Sequence, residues 1–183
     1  MKEFEHKRRI MSRYDQTAET YDKQYLEEQN AKIRAALKTL TFNSGCAVLD
    51  LGCGTGLLFP HMKRKARMLV GLDFSRNILK QAKKRAADNI LLVRADADYT
   101  PFRNHVFDSV FAFTLLQNMP NPAKTLDEIK RVSKPGGRII VTALKKSFPR
   151  ETFLAMLRES RLEVLGLFNE KLKGYVAICR PFG

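Results

Sequence analysis

The stretch Leu49-Asp50-Leu51-Gly52-Cys53-Gly54-Thr55-Gly56 continues the apolar run Cys46-Ala47-Val48 and sets three glycines at alternate positions. A short, continuous apolar run ending in glycines reads as a strand buried on both faces that enters a tight loop. Such a loop lets the backbone come close to a nucleotide-like ligand, and three ligand types compete for it. A phosphate-binding loop needs Lys followed by Ser or Thr after its last glycine, but Leu57-Leu58 stand there. The dinucleotide fingerprint needs a third glycine where this chain has Leu57; Gly56 falls one residue early. Asp50, just before the loop, would repel a pyrophosphate and suits a ligand carrying an ammonium and a sulfonium. Asp73, closing the next apolar run, is placed to grip ribose hydroxyls in either nucleotide case.

Outward from this loop, strand and helix patterns alternate. Upstream, Glu27 to Leu40 carries Ile33, Ala36, Leu37 and Leu40 at helical spacing and stops near Asn43-Ser44-Gly45. Downstream, residues 57–65 read as helix, 67–73 as strand, 75–88 as helix with Ser75 as N-cap, and 89–96 as strand. Residues 107–116 follow as strand, 122–133 as helix, Lys134-Pro135-Gly136-Gly137 as a turn, 138–144 as strand and 147–161 as helix. The two last apolar runs, 163–168 and 174–180, leave no room for a helix between them and predict an antiparallel hairpin. Five parallel strands with crossover helices, closed by that hairpin, make a mostly parallel α/β sheet covered on both faces.

The 183 residues and 44% hydrophobic content suit one sizeable core, with no repeat and no linker-like segment. The expected organisation is a single domain over 1–183, with 1–44 as a helical cover and 45–183 as the core. The N-terminus is charged rather than signal-like and the longest apolar run is far short of a membrane span, so a cytoplasmic protein without membrane association is expected. Cys46, Cys53 and Cys179 are odd in number and lack a CxxC or nearby His, supporting neither a disulfide framework nor a metal site. A net charge of +14 draws polyanions but says nothing about fold. Its basic clusters lie at Lys7-Arg8-Arg9-Arg13, Lys63-Arg64-Lys65-Arg67 and Lys80-Lys83-Lys84-Arg85.

VLDLGCGTG followed by GLDFS resembles the cofactor motifs of class I S-adenosylmethionine-dependent methyltransferases, particularly the quinone-biosynthesis-type (methyltransferase domain 11) subgroup. RYDQTAETYD, ADADYTPFRNHVFDSV and EIKRVSKPGGRIIVT resemble further segments of that subgroup in the same order. The resemblance implies a Rossmann-like doubly wound sheet of seven strands in the order 3-2-1-4-5-7-6. It also implies S-adenosyl-L-methionine as cofactor. Gly52, Gly54 and Gly56 would form the methionine-side loop, supported by Asp50, and Asp73 would hold the ribose hydroxyls. Phe74 and Ile78 would pack on the adenine, Asp96 would accept from its amino group and Ala97 would lend an N–H. Tyr14 and Tyr21 would close over the ligand.

Methyl transfer is an in-line displacement on an activated sulfonium, so acceptor chemistry is sought in the loops at the C-terminal edge of the sheet. After the fourth strand, TLLQNMPNP lacks the Asn/Asp-Pro-Pro-aromatic motif of nucleic-acid amino methyltransferases, and no cysteine stands there for cytosine C5 chemistry. Gln117 and Asn118 are the acceptor-orienting candidates, while His61 and His105 read as surface residues and Asp108 as structural. Lys145, Lys146, Phe148 and Arg150 after the fifth strand are candidates for an acceptor rim that contacts phosphate and stacks on a base. The acceptor is expected to be a small molecule or an RNA, with a homodimer or an activating partner subunit completing the site. A catalytically silent binding or partner-activating subunit of the same fold is the alternative.

Overall fold

The computed structural model describes residues 1–43 and 45–182; Ser44, in the expected turn before the first strand, and Gly183 lie outside them. In chain order the elements are α1 (Lys2–Thr17), α2 (Tyr21–Leu37), β1 (Ala47–Leu51), α3 (Phe59–Met62), β2 (Met68–Asp73), α4 (Arg76–Lys83) and β3 (Ile90–Arg94). They continue with β4 (Phe107–Ala112), a short 3-10 turn (Leu116–Asn118), α5 (Pro122–Val132), β5 (Ser133–Leu144), α6 (Arg150–Glu159), β6 (Leu162–Phe168) and β7 (Gly174–Pro181). The strands form one seven-stranded sheet in the order β3-β2-β1-β4-β5-β7-β6, as expected from the family resemblance. β1 to β5 pair in parallel, and β7 inserts antiparallel between β5 and β6.

The sheet separates two apolar layers. On one face, Ile33 and Ala36 of α2, Phe59 and Met62 of α3 and Ala82 of α4 pack with Val48, Leu69, Phe111, Ile140 and Ile178. On the other, Leu126, Ile129 and Val132 of α5 and Phe153 and Leu157 of α6 pack with Leu49, Leu51, Val110, Ile139 and Val141. This is why β1 is buried at all five positions: both faces of a central parallel strand are covered by helices. All three cysteines are buried free thiols. Among the described residues, no helix is long and apolar enough to cross a membrane.

Local chemistry sets the element ends. The Ser75 hydroxyl accepts from the Ile78 N–H at 3.1 Å and caps α4, and the Asn121 side chain caps α5 ahead of Pro122. Asp108 accepts from the Ala47 N–H at 2.8 Å and from Lys134 Nζ at 2.8 Å, tying the starts of β1, β4 and β5 together as a structural residue.

Several boundaries differ from the sequence reading. The helix expected from Glu27 begins at Tyr21, and α1, for which the sequence reading gave no bounds within the helical cover, runs from Lys2 to Thr17. The fourth strand ends at Ala112 instead of residue 116, because Thr114 turns into the left-handed region at φ 57°. The expected turn at 134–137 is absorbed into β5, where Gly136 takes φ 71° and the ladder to β4 shifts register between Phe107 and Ser109.

One close approach positions the glycine loop. A Cβ on Gly71 of β2 would meet Phe59 Cζ at 2.5 Å, and one on Gly56 would meet the same ring at 2.6 Å. Phe59, fully buried, therefore wedges between the loop and β2. Gly71→Ala should cost about 1–3 kcal/mol by overpacking, measured by urea unfolding. The double variant Gly71→Ala/Phe59→Leu should recover at least half of that loss; full additivity would show that the ring is not the obstacle.

Candidate functional site

At the C-terminal edge of the sheet, β1 runs into Gly52 (φ 71°), Gly54 (φ 55°) and Gly56 (φ 77°), all in the left-handed region that L side chains resist. Both Gly52 N–H and Cys53 N–H donate to the Leu72 carbonyl, at 2.8 and 2.9 Å, so the loop is folded back on the end of β2. There Asp73 accepts from the Gly54 N–H at 3.0 Å and from the Ser75 N–H at 2.9 Å. From the outer side, Thr55 donates to Asp22 of α2 at 2.6 Å, and Arg85 bridges Asp22 and the Thr55 carbonyl. Residues 52–58 form turns, and the helix that follows starts at Phe59.

Two cavities meet at this loop. The larger spans about 760 Å³ of empty space, part of it open to solvent. It is lined by Gly52, Gly54, Asp73, Phe74, Ile78, Asp96 and Ala97 of the core, by Tyr14 and Tyr21, and by Phe113, Thr114, Leu115, Asn118 and Met119 after β4. The smaller shares Tyr21, Gly52, Gly54 and Phe113 and reaches Gln29, Asp50, Cys53 and Thr55. A groove bent around Gly52 and Gly54 therefore has Asp73 in one arm and Asp50 in the other. A Cβ on Gly54 would meet nothing within 4 Å, so its backbone faces open space.

The electrostatics favour a cation. Burial, and then the neighbouring Asp73 charge, push the Asp50 carboxyl up to about 8. Among the described residues no donor reaches it. Burial also raises Asp73, against the N–H groups of Ser75 and Gly54, and Asp15 adds to the rise. Asp15, from α1, accepts from Ser75 Oγ at 2.5 Å and from the Asn77 N–H at 3.0 Å. Burial raises the Tyr14 and Tyr21 hydroxyls, which stay neutral donors.

α1 closes the groove along one helical face: Lys7, Ile10, Met11 and Tyr14 all line it, at i, i+3, i+4 and i+7. Lys7 Nζ reaches both oxygens of Asp96, at 2.7 and 2.8 Å, and Asp98. Although burial works against its charge, the two carboxylates hold the ammonium above its ordinary value. Asp96, expected to accept from an adenine amino group, thus already accepts from Lys7. This contact and the Lys7 to Met11 lining were not read from the sequence, although the spacing of Ile10, Met11 and Tyr14 carries a helical signal.

On the acceptor side, Thr114 is pinned in its left-handed conformation from every direction. Its N–H donates to Thr142 at 2.7 Å, its hydroxyl bonds Gln29 and buried Lys32 at 3.0 Å each, and its carbonyl accepts from Gln117 and Asn118. A β-branched residue at positive φ is strained, and such strain gathers at functional loops. Asn118 lines the groove and bonds Tyr14 and Arg13, whereas Gln117 lies outside both linings, with a buried carbonyl oxygen that finds no partner among the described residues. Gly56 faces Phe59, and neither lining includes it. Lys145, Lys146 and Arg150 are exposed beyond the groove; Lys145 bonds the Asn169 carbonyl and Arg150 pairs with Glu151. Phe148 packs against the α5/α6 core layer.

Residues 49–141 match the methyltransferase domain family. A demethylmenaquinone methyltransferase of Staphylococcus saprophyticus is 34% identical over 119 residues, covering 62% of this chain and 51% of the relative. An uncharacterised protein of Methanocaldococcus jannaschii is 30% identical over 154 residues, covering 82% and 68%. The chain spans about half the length of the demethylmenaquinone methyltransferases it matches. In fold it is similar to a Haloferax volcanii methyltransferase solved with the Trm112 methyltransferase activator, at TM-score 0.81 and 18% identity over 92% of this chain and 98% of that one. The DhpI complex with SAH is similar at TM-score 0.77 and 21% identity, covering 93% and 94%. The glycine loop, the acidic groove, the strand order and the family match converge: the chain belongs to the class I S-adenosylmethionine-dependent methyltransferases.

Proposed function

We propose that the chain binds S-adenosylmethionine in the bent groove and transfers its methyl group to an acceptor seated beside the loop after β4. The observation that carries this reading is the pair of joined cavities, with a carboxylate in each arm and open glycine backbone between them. A nucleoside with a cationic amino-acid arm matches that shape and charge. When bound, S-adenosylmethionine supplies a methyl group already activated on a sulfonium.

The chain's own residues then hold and orient. Asp73 has lone pairs left beyond its two backbone donors and takes the ribose hydroxyls. Asp50 takes the ammonium side, and Phe74 and Ile78 flank the base, with Asp96 and the Ala97 N–H at its polar edge. Tyr14, Tyr21 and α1 exclude water. Asn118, held against Tyr14 and the Thr114 carbonyl, faces the acceptor. Alignment and water exclusion account for most of the rate enhancement such a transfer needs, without a dedicated base. The acceptor is a small molecule or an RNA. The whole chain acts as one unit, with residues 1–44 as cover.

A second reading, in which an activating partner subunit is required, draws on the Haloferax volcanii methyltransferase solved with its activator. Turnover by the purified chain alone would remove it.

Calorimetric titration with S-adenosylmethionine should give micromolar or tighter binding, and heat-free titrations would sink the enzyme reading. Asp73→Asn should weaken that binding on the order of 100-fold, from two charge-assisted hydrogen bonds of about 1.5–3 kcal/mol each; unchanged affinity would remove Asp73 from the site. With the Asp50 carboxyl near 8 in the free protein, it is largely protonated at pH 6–7, and an arriving cation expels the proton. Affinity should therefore rise with pH across that window, by up to about tenfold per unit, with proton release detectable by comparing buffers of different ionisation enthalpy. Asp50→Asn should abolish the proton release. Its persistence would assign the proton elsewhere.

A further inference from the structure

The two helical faces of the sheet carry very different charge. α5 and α6 together hold five cations against four acids, and their cations are largely paired: Lys130 with Asp127 at 2.9 Å, Arg131 with Glu128 at 2.7 Å, Arg150 with Glu151 at 2.7 Å. On the opposite face, α2 is balanced at three cations and three acids, but the α3 turn and α4 segments beside it, residues 59–67 and 76–87, hold nine cations and no acid. Of these only Arg85 is ion-paired, to Asp22. The other eight, Lys63, Arg64, Lys65, Arg67, Arg76, Lys80, Lys83 and Lys84, are exposed, and none makes an ion pair among the described residues.

These residues form one surface. β1, β2 and β3 are successive neighbours in the sheet, so right-handed crossovers place α3 and α4 on the same face. Phe59 and Met62 of α3 share an apolar layer with Ala82 of α4, and Asn89 bonds the Lys63 and Ala66 carbonyls across the gap. After burial, Lys65 and Arg34 of α2 lower His61, which stands between them. At the other end α1 packs on α4, and a groove between them is lined by Arg8, Arg9, Ser12, Gln16 and Asn77 together with Met11 and Asp15, the last already bonded to Ser75 and the Asn77 N–H. Met11 also lines the larger cavity of the methyl-transfer site. The basic strip therefore runs from the α3 turn along α4 and over α1 to the mouth of the groove.

We propose that this strip, the exposed face of the α3 turn and α4 continued by Arg8 and Arg9 of α1, binds the phosphate backbone of an RNA and leads the strand to the groove. An RNA fits better than a protein or a membrane because the α3 turn and α4 carry charge without apolar anchors, and the one exposed ring at the α1 end, Phe4, lies under Arg8. Among the described residues, none between 59 and 87 is an exposed large hydrophobic. Protein interfaces have an apolar core, and membrane-surface helices insert one, whereas phosphate contacts need only spread cations. The rim after β5 offers less, with Lys145 and Arg150 already engaged and Phe148 packed inward. The strand's path to the groove rests on the methyl-transfer reading; the binding surface does not.

The test is fluorescence anisotropy with a labelled RNA stem-loop bearing a single-stranded tail, without S-adenosylmethionine. Affinity should fall roughly 10²- to 10³-fold between 50 and 200 mM salt, as expected when most of the eight cations neutralise phosphates. Lys80→Gln/Lys83→Gln/Lys84→Gln should weaken binding at least tenfold and reduce the logarithmic salt slope by about two. Its melting temperature and S-adenosylmethionine affinity should match those of the unmutated chain, and Lys145→Gln/Lys146→Gln should change RNA affinity less than threefold. Unchanged RNA binding by the α4 variant, or a loss confined to the rim variant, overturns the assignment. So does stronger binding to phosphatidylserine vesicles or polyglutamate than to RNA. Failure to bind S-adenosylmethionine would remove the methyl-transfer reading and leave the RNA surface standing.

Discussion

The site depends on where the carboxylate of Asp73 points. Standing at the last residue of β2, it accepts from the Gly54 N–H on one side and the Ser75 N–H on the other. One ionisable group thus locks the glycine loop to the start of α4, and the open glycine backbone beside it lines both arms of the groove. Backbone bonds to a charged acceptor contribute about 1.5–3 kcal/mol each, enough to hold a loop whose three glycines all sit at positive φ. The loop is braced again from outside by Asp22, Thr55 and Arg85, which bind the start of α2 and the end of α4 to the same turn.

This arrangement concentrates negative charge inside a strongly basic protein. Asp50 and Asp73 converge on the groove, where burial and the Asp73 charge raise Asp50 and burial with nearby Asp15 raises Asp73, while the uncompensated cations lie outside on the α3 and α4 face. A buried carboxylate held at a raised value is poised for a cationic ligand, which relieves the repulsion as it binds. The separation of sign has a geometric origin. The C-terminal strand ends aim β1 and β2 carboxylates inward, whereas the amphipathic helices covering the sheet turn mainly polar residues to their outer faces. Which polar residues these are is free to vary between faces, and here one face is balanced and the other is not.

The N-terminal helices convert an open sheet edge into an enclosed groove. α1 spans the mouth, reaching Asp96 and Asp98 through Lys7, Ser75 and Asn77 through Asp15, and Asn118 through Arg13 and Tyr14. α2 reaches Thr114 through Gln29 and Lys32. The strained Thr114 is held by partners on α2, β5 and its own loop, so the acceptor side and the cover are ordered together.

The strand and helix alternation, the glycine turn, the Ser75 cap and the hairpin were legible because each rests on local chemistry: apolar runs, residues tolerant of positive φ, a hydroxyl at a helix start; the strand order came from the family resemblance. The cavity linings include Asp50 and Asp73, which stand at the ends of β1 and β2, together with Phe74, Ile78, Asp96, Ala97 and both tyrosines, which the family resemblance pointed to. Other features were decided in three dimensions. The sequence could not say that Lys7 would meet Asp96 and Asp98, some ninety positions away, or that Gly56 would serve the Phe59 ring and Phe148 the core. Nor could it show that the cations of 59–67 and 76–87 share one face while three of the five on α5 and α6 find acidic partners. Local propensity fixes what each segment becomes, but side chains distant in sequence meet only through packing, and packing alone sets which charges are paired and which are left to a ligand.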